Sequence, residues 1–132
     1  MNLKNYLEQN SVDKQIAKLA KKCKNKKVVF YGAGDFFYTL KENYDLSKFN
    51  VVGIADLKFT TNPEENKTNF PTLVPNDLKT ADYDAIIITL LNDLPILNIL
   101  DNKILKGTKN SNVDIYPIMT PTISYLFKQL IK

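Results

Sequence analysis

Two glycines and one aspartate in this sequence have the spacing of a nucleotide site. Gly32 and Gly34 follow the apolar run Val28–Tyr31, and Asp56 ends the next apolar run. In such a turn the first glycine permits a tight bend, and the second lets a ligand approach the backbone. An acid about 20 residues further on accepts hydrogen bonds from a ribose. This spacing predicts a glycine turn that faces a nucleotide.

Two residues depart from the full dinucleotide pattern. Phe37 stands where the third glycine would be, so the following helix must lie further from its strand. Asp35 stabilises the helix N-terminus, but it repels a phosphate placed there. If a dinucleotide binds, Asp56 favours NAD over NADP because it would repel a 2′-phosphate, and Lys58 softens that preference.

The predicted site joins the ends of three strands, because ligands of open α/β sheets bind at the carboxyl ends of strands, beside the switch in strand order. The nucleotide-binding candidates are Gly32, Ala33, Gly34, Asp35, Phe36, Asp56, Leu57, Lys58, Thr89 and Leu90. Each part of this set has a plainer alternative. In these alternatives, the glycine turn binds no ligand, Asp56 only caps a turn, and Thr89 and Leu90 are ordinary loop residues.

No catalytic constellation is visible in the sequence. Histidine, the usual general base at neutral pH, is absent, and the single Cys23 excludes a cysteine-based zinc site. Cys23, Asp82 and Asp84 precede strands, so we expect them at the opposite edge of the sheet. We therefore predict neither catalytic nor metal-binding residues.

The elements that must position the site alternate between strands and helices. Strands are predicted over 28–31, 51–56, 70–74, 84–90 and 113–116. Helices are predicted over 2–9, 11–24, 35–43 and 93–106 and from Thr120 onward, with one helical turn over 75–80. Ser11 is the expected N-cap of the second helix, Gly107 the expected end of the fourth, and 60–69 a mobile loop or degenerate helix.

This alternation predicts an α/β fold. We expect one domain over 1–132, with 1–26 as an N-terminal helical extension and a parallel sheet of about five strands in the order 3-2-1-4-5. Right-handed crossovers place helices on both faces, which gives three layers.

Composition narrows the class of protein. The chain is 44% hydrophobic, and no apolar run approaches the roughly 20 residues that span a bilayer. We expect a cytoplasmic protein without a signal peptide or membrane insertion. Residues 1–27 are rich in lysine, but the chain contains no arginine. Nucleic-acid sites usually use arginine, so we predict a solvated basic face and no nucleic-acid partner.

Four segments together resemble a known family. They are Val28–Gly34, Val51–Asp56, Phe70–Leu78 and Tyr83–Thr89. The arrangement resembles the Rossmann-like nucleotide-binding domain of bacterial polysaccharide-biosynthesis proteins, namely nucleotide-sugar dehydratases and sugar acetyltransferases, and it covers roughly Val28 to Leu90. The resemblance implies that Gly32, Gly34 and Asp56 lie near a nucleotide or nucleotide-sugar. It implies binding rather than catalysis, because no dehydratase or acetyltransferase sequence accompanies it.

The predicted function is therefore binding of a nucleotide or nucleotide-sugar, with NAD or a UDP-sugar as the candidate ligand. A homodimer or a larger biosynthetic partner is the expected assembly. Two alternatives stay open. One is a non-catalytic interaction module with a vestigial glycine turn, and the other is a small enzyme that depends on NAD or S-adenosylmethionine.

Overall fold

Five short segments form one parallel sheet in this protein, which is described by a computed structural model covering residues 2–91 and 93–119. The strands are β1 Lys27–Tyr31, β2 Asn50–Ala55, β3 Thr72–Leu73, β4 Ala85–Ile88 and β5 Asp114–Pro117. Their order is β3-β2-β1-β4-β5, and every neighbouring pair is parallel. The predicted α/β class and strand order are confirmed.

The helices follow the predicted alternation with the strands. They are α1 Leu3–Gln9, α2 Val12–Lys22, α3 Asp35–Asn43 and α4 Asp93–Ile99. α3 has the predicted bounds. α4 continues as a π-helical segment over Leu100–Ile104, so this helix ends before Lys106, and Gly107 follows with a φ of +77°. The helix predicted from Thr120 onward lies outside the described residues.

The predicted N-cap of α2 and the segments outside the main elements can be compared with the structure in detail. Ser11 precedes α2 as predicted, but its backbone is left-handed, with a φ of 54°, and its side chain makes no capping hydrogen bond. Ser11 is therefore the N-cap residue, as predicted, but it caps the helix without its side chain. The segment predicted as a loop or degenerate helix contains a 3-10 turn over Pro63–Glu65, after another over Leu57–Thr60. A third such turn, Pro75–Lys79, lies where one helical turn was expected.

The central strand β1 divides the core into two layers, because successive side chains of a strand point to opposite faces. Val28 and Phe30 pack with residues of α1, α2 and α3. Val29 and Tyr31 pack on the other face, in a cluster that includes Leu78 and Leu100. The sheet is thus covered on both faces, as its continuous apolar strands predict.

The strand ends form two edges of the sheet that matter for function. At the carboxyl edge, Gly32 follows β1, Asp56 follows β2 and Thr89 follows β4. At the amino edge, Lys27 begins β1 and Asn50 begins β2. In the described part of the chain, no helix combines the length and apolarity that crossing a bilayer requires.

Candidate functional site

The carboxyl edge of the sheet brings the ends of three strands together through hydrogen bonds. The N–H of Gly32 donates to the carbonyl of Ala55 at 2.8 Å, which extends the β1–β2 ladder into the turn. The N–H of Ala33 donates to Oδ2 of Asp56 at 2.8 Å. The Thr89 hydroxyl donates to the carbonyl oxygen of Gly32 at 2.7 Å. The glycine turn is therefore held from both neighbouring strands.

Gly32 is required by packing and by backbone conformation. Its φ is +122°, a region that L-residues rarely adopt, and a Cβ atom built there would lie 2.6 Å from Cγ of Leu90 and 2.7 Å from the Thr89 carbonyl oxygen. Gly32 therefore lets β4 and the turn approach closely. This role is structural and needs no ligand.

Gly34 differs from Gly32 in both respects. Its backbone is extended, with a φ of −101°, and it is the N-cap residue of α3. A Cβ atom built on Gly34 would meet nothing within 4 Å. The space above Gly34 is therefore open, and the approach of a ligand to the backbone there stays a prediction.

Both carboxylate oxygens of Asp56 accept hydrogen bonds from backbone N–H groups. Oδ2 accepts from Ala33, and Oδ1 accepts from Lys58 at 3.0 Å, which caps the 3-10 turn after β2. The turn-cap alternative raised from the sequence thus describes the contacts of this side chain. A ribose contact by Asp56 stays a prediction, and it would have to share the carboxylate with these two donors.

Lys58 adds a second bridge between the same two loops. Its ammonium group donates to the carbonyl oxygen of Ala33. Asp56 and Lys58 therefore hold the N–H and the C=O of one residue, and together they join the β1–α3 turn to the β2 end. Between them, Leu57 is 69% exposed and makes no contribution to either core cluster.

A cleft with a volume of about 580 Å³ lies beside this bridge. We call it the Gly34 cleft, and its lining residues are Ala33, Gly34, Asp35, Tyr38, Lys41, Glu42, Lys58, Glu65 and Lys67. Three lysines and three acidic residues line it, so the cleft contains both positively and negatively charged side chains. The glycine turn borders this cleft through Ala33 and Gly34.

Five of these residues were not among the sequence candidates. Tyr38, Lys41 and Glu42 lie on α3 four, seven and eight residues after Gly34, a helical spacing that places them on one face. The periodicity of α3 could therefore have identified them. Glu65 and Lys67 come from the loop after β2, and no sequence signal marks them.

The Tyr38 hydroxyl fixes that loop against α3. It donates to the carbonyl oxygen of Glu65 at 3.3 Å and accepts from the N–H of Lys67 at 3.1 Å. The Tyr38 side chain thus connects α3 to the loop that forms one wall of the Gly34 cleft.

Six of the ten sequence candidates do not line this cleft, namely Gly32, Phe36, Asp56, Leu57, Thr89 and Leu90. Phe36 is 6% exposed and belongs to the core. Thr89 is fully buried, and its hydroxyl also contacts the carbonyl oxygen of Tyr31 at 3.1 Å. Leu90 packs on Gly32. Thr89 and Leu90 support the turn from behind, on the β4 side, whereas the cleft opens on the β2 side.

One titratable group behind the turn has a shifted pKa. Burial, and to a lesser degree the charge of Asp56, raise the pKa of the Tyr31 phenol. Tyr31 therefore stays protonated at neutral pH. It lies beneath the turn and does not line the Gly34 cleft.

The other reactive groups considered from the sequence lie at the amino edge. Asp84 accepts from the backbone N–H of Lys27 at 2.8 Å, and Asp82 forms an ion pair with the Lys27 ammonium. Cys23 is buried, and that burial raises the pKa of its thiol. Within residues 2–91 and 93–119, no three side chains of the types that bind metals come together.

The chain was compared with protein-family models, with curated proteins and with solved structures, and none of them matches it. The resemblance to polysaccharide-biosynthesis domains therefore stays a prediction from short motifs, and function must be argued from the Gly34 cleft.

Proposed function

We propose that the Gly34 cleft binds a nucleotide or nucleotide-sugar. The observation that carries this proposal is the open space at Gly34. The backbone conformation of Gly34 is allowed for any residue, and the absence of a side chain leaves its backbone accessible from the cleft. At an extended backbone position any residue is allowed, so the value of glycine here is close approach of a ligand.

The charges around the cleft fit a ligand with a phosphate and a polar sugar. Lys41, Lys58 and Lys67 supply positive charge, and Tyr38 supplies a ring surface. Asp35 stands at the first position of α3 and is exposed, so it repels a phosphate placed on the helix N-terminus. We therefore propose that the phosphates lie toward Lys58 and Lys67, and that the sugar or base lies over Gly34.

A ligand panel tests the proposal. The whole chain is assayed by thermal shift and then by calorimetry with NAD(H), NADP(H), UDP, UDP-sugars and S-adenosylmethionine. We expect at least one nucleotide to raise the melting temperature in a dose-dependent way, because a ligand that binds only the folded state stabilises it. If no member of the panel binds at millimolar concentration, the proposal is wrong.

A pair of substitutions at Gly34 ties binding to the cleft. Gly34→Leu places a branched side chain in the space above the turn, whereas Gly34→Ala adds one methyl group and carries a similar loss of N-cap preference. We expect both variants to fold and Gly34→Leu to weaken nucleotide binding about ten-fold or more relative to Gly34→Ala. Equal affinities for the two variants would place the ligand elsewhere.

A second function is favoured by a different observation. Asp56 and Lys58 are engaged by the turn itself, and Leu57 between them is 69% exposed. These contacts are also compatible with a non-catalytic interaction module, in which the turn only connects β1 to α3 and binds no ligand. In that case Leu57→Ser would weaken self-association or partner binding, and no ligand of the panel would bind.

We propose that the chain acts in the cytoplasm, that its ligand serves surface-polysaccharide synthesis, and that a homodimer or a biosynthetic partner completes it. Sedimentation analysis with and without the best ligand of the panel tests the assembly.

A further inference from the structure

A second concave surface lies at the amino edge of the sheet, on the opposite side from the glycine turn. It has a volume of about 510 Å³. We call it the amino-edge pocket, and it is lined by Ala17, Ala20, Lys21, Lys24, Asn25, Lys48 and Asn50. The residues come from α2, from the turn before β1, from the loop before β2 and from the first residue of β2.

The charged groups lining this pocket are all cationic. Lys21, Lys24 and Lys48 line it, and no acid does. The Gly34 cleft, in contrast, balances its lysines with acids. Asp45, whose pKa is lowered mainly by hydrogen bonds from Ser47 and slightly by Lys48, lines a neighbouring groove instead.

The ion pairs of this region do not neutralise the pocket. Lys26 pairs with Asp114 and Lys27 pairs with Asp82. Among the described residues, neither pair involves a lysine of the pocket. Three like charges around one concave surface repel each other, and a bound anion relieves that repulsion.

The uncharged residues that line the amino-edge pocket are also compatible with a bound anion. Asn25 and Asn50 provide side-chain amides that can donate hydrogen bonds. Ala17 and Ala20 have short side chains that leave room between α2 and the start of β2. Asn25 has a φ of 64°, which asparagine tolerates better than most residues, so its presence also suits the turn.

We propose that the amino-edge pocket binds the phosphate of an anionic ligand, at a site separate from the Gly34 cleft. A soluble phosphate ester and the headgroup of an anionic lipid share this chemistry. Lysines bind phosphate as point charges, so binding weakens as ionic strength rises.

An NMR titration of the whole chain with sodium pyrophosphate tests the soluble source. We expect the largest amide shifts in residues 17–25 and 48–50. The triple variant Lys21→Gln, Lys24→Gln, Lys48→Gln should bind about ten-fold more weakly. The control Lys103→Gln, Lys106→Gln, Lys109→Gln removes as many charges from exposed positions outside the pocket and should retain binding.

Two further measurements complete the test. Asn25→Gly keeps the left-handed backbone but removes the amide, so it should weaken binding without unfolding the chain. Sedimentation with phosphatidylcholine vesicles, with and without phosphatidylglycerol, tests the lipid source. Binding of pyrophosphate or of the anionic vesicles that depends on the pocket lysines supports the proposal. The proposal is overturned if both triple variants behave alike with both probes, or if neither probe binds.

Discussion

Gly32 and Gly34 lie two residues apart in one turn, but the surroundings of the two glycines differ. A side chain at Gly32 would collide with Leu90 and with the Thr89 carbonyl group, whereas a side chain at Gly34 would enter open space. The first glycine serves the fold, and the second leaves the cleft accessible. We therefore expect a side chain at Gly32 to affect stability and a large side chain at Gly34 to affect the proposed binding.

Substitution of Gly32 should destabilise the protein strongly. We expect Gly32→Ala to lower the free energy of unfolding by about 2–4 kcal/mol, because it combines a disfavoured φ with overpacking. Gly34→Ala is the matched control and should cost about 1 kcal/mol or less, since it changes only the N-cap. Urea unfolding of both variants measures the difference. Equal losses would contradict the distinction between the two glycines.

Asp56 should contribute to stability through its two backbone contacts. We expect Asp56→Ala to lower the free energy of unfolding by about 1–3 kcal/mol, because it leaves the N–H groups of Ala33 and Lys58 without their acceptor. Asp56→Asn keeps one acceptor oxygen and should lose less. Glu64→Ala, at an exposed position in the next 3-10 turn, is the control. A loss no larger than that of the control would refute the bridging role.

At the scale of elements, the two edges of the sheet carry different chemistry. The carboxyl edge joins β1, β2 and β4 through neutral and charged hydrogen bonds to one turn. The amino edge is joined by ion pairs, from Lys26 to β5 and from Lys27 to the residues before β4. We therefore expect the stability of the amino edge to depend on the ionisation of Asp82 and Asp114.

The ion pairs at the amino edge predict a loss of stability in acid. Hydrogen bonds from Lys27 and Lys26 lower the pKa values of Asp82 and Asp114 from 3.8 in the folded protein. A carboxyl group with a lowered folded pKa stabilises the protein above its unfolded pKa, and that contribution is lost as pH falls below about 4. Urea unfolding between neutral pH and acid measures this loss.

The double variant Asp82→Asn, Asp114→Asn is the control for this effect. It should show a shallower loss of stability in acid than the wild type, with a residual slope from other carboxyl groups such as Asp45. The difference should shrink at high salt, because both pairs are exposed to solvent. Parallel acid profiles for the two proteins would refute the role of these pairs.

At the scale of the whole molecule, apolar patterning was enough to predict the architecture. Unbroken apolar runs such as 85–88 mark strands buried on both faces, and their alternation with helical spacing leaves few topologies. The observed strand order agrees with this reasoning. The left-handed Ser11 and the π-helical end of α4 were missed, because tertiary packing rather than local sequence decides such details.

The site was harder to predict than the fold. Sequence spacing selected Gly34 and Lys58, which line the cleft, and it predicted a ribose contact for Asp56, whose observed contacts are with two backbone N–H groups. The conformation of the chain after β2 decides which donors reach that carboxylate, and residue spacing does not record it. The loop that carries Glu65 and Lys67 is bonded to the Tyr38 hydroxyl of α3, a contact between distant parts of the sequence.

The central claim is that a nucleotide binds over Gly34, and an NMR titration tests it most directly. The whole chain is titrated with UDP, with NAD and with the UDP-sugar that stabilises it most. We predict saturable amide shifts concentrated in residues 33–42, at Lys58 and in 65–67, and their loss in Gly34→Leu but not in Gly34→Ala. The account is contradicted if no ligand produces saturable shifts, or if the shifts concentrate away from the Gly34 cleft.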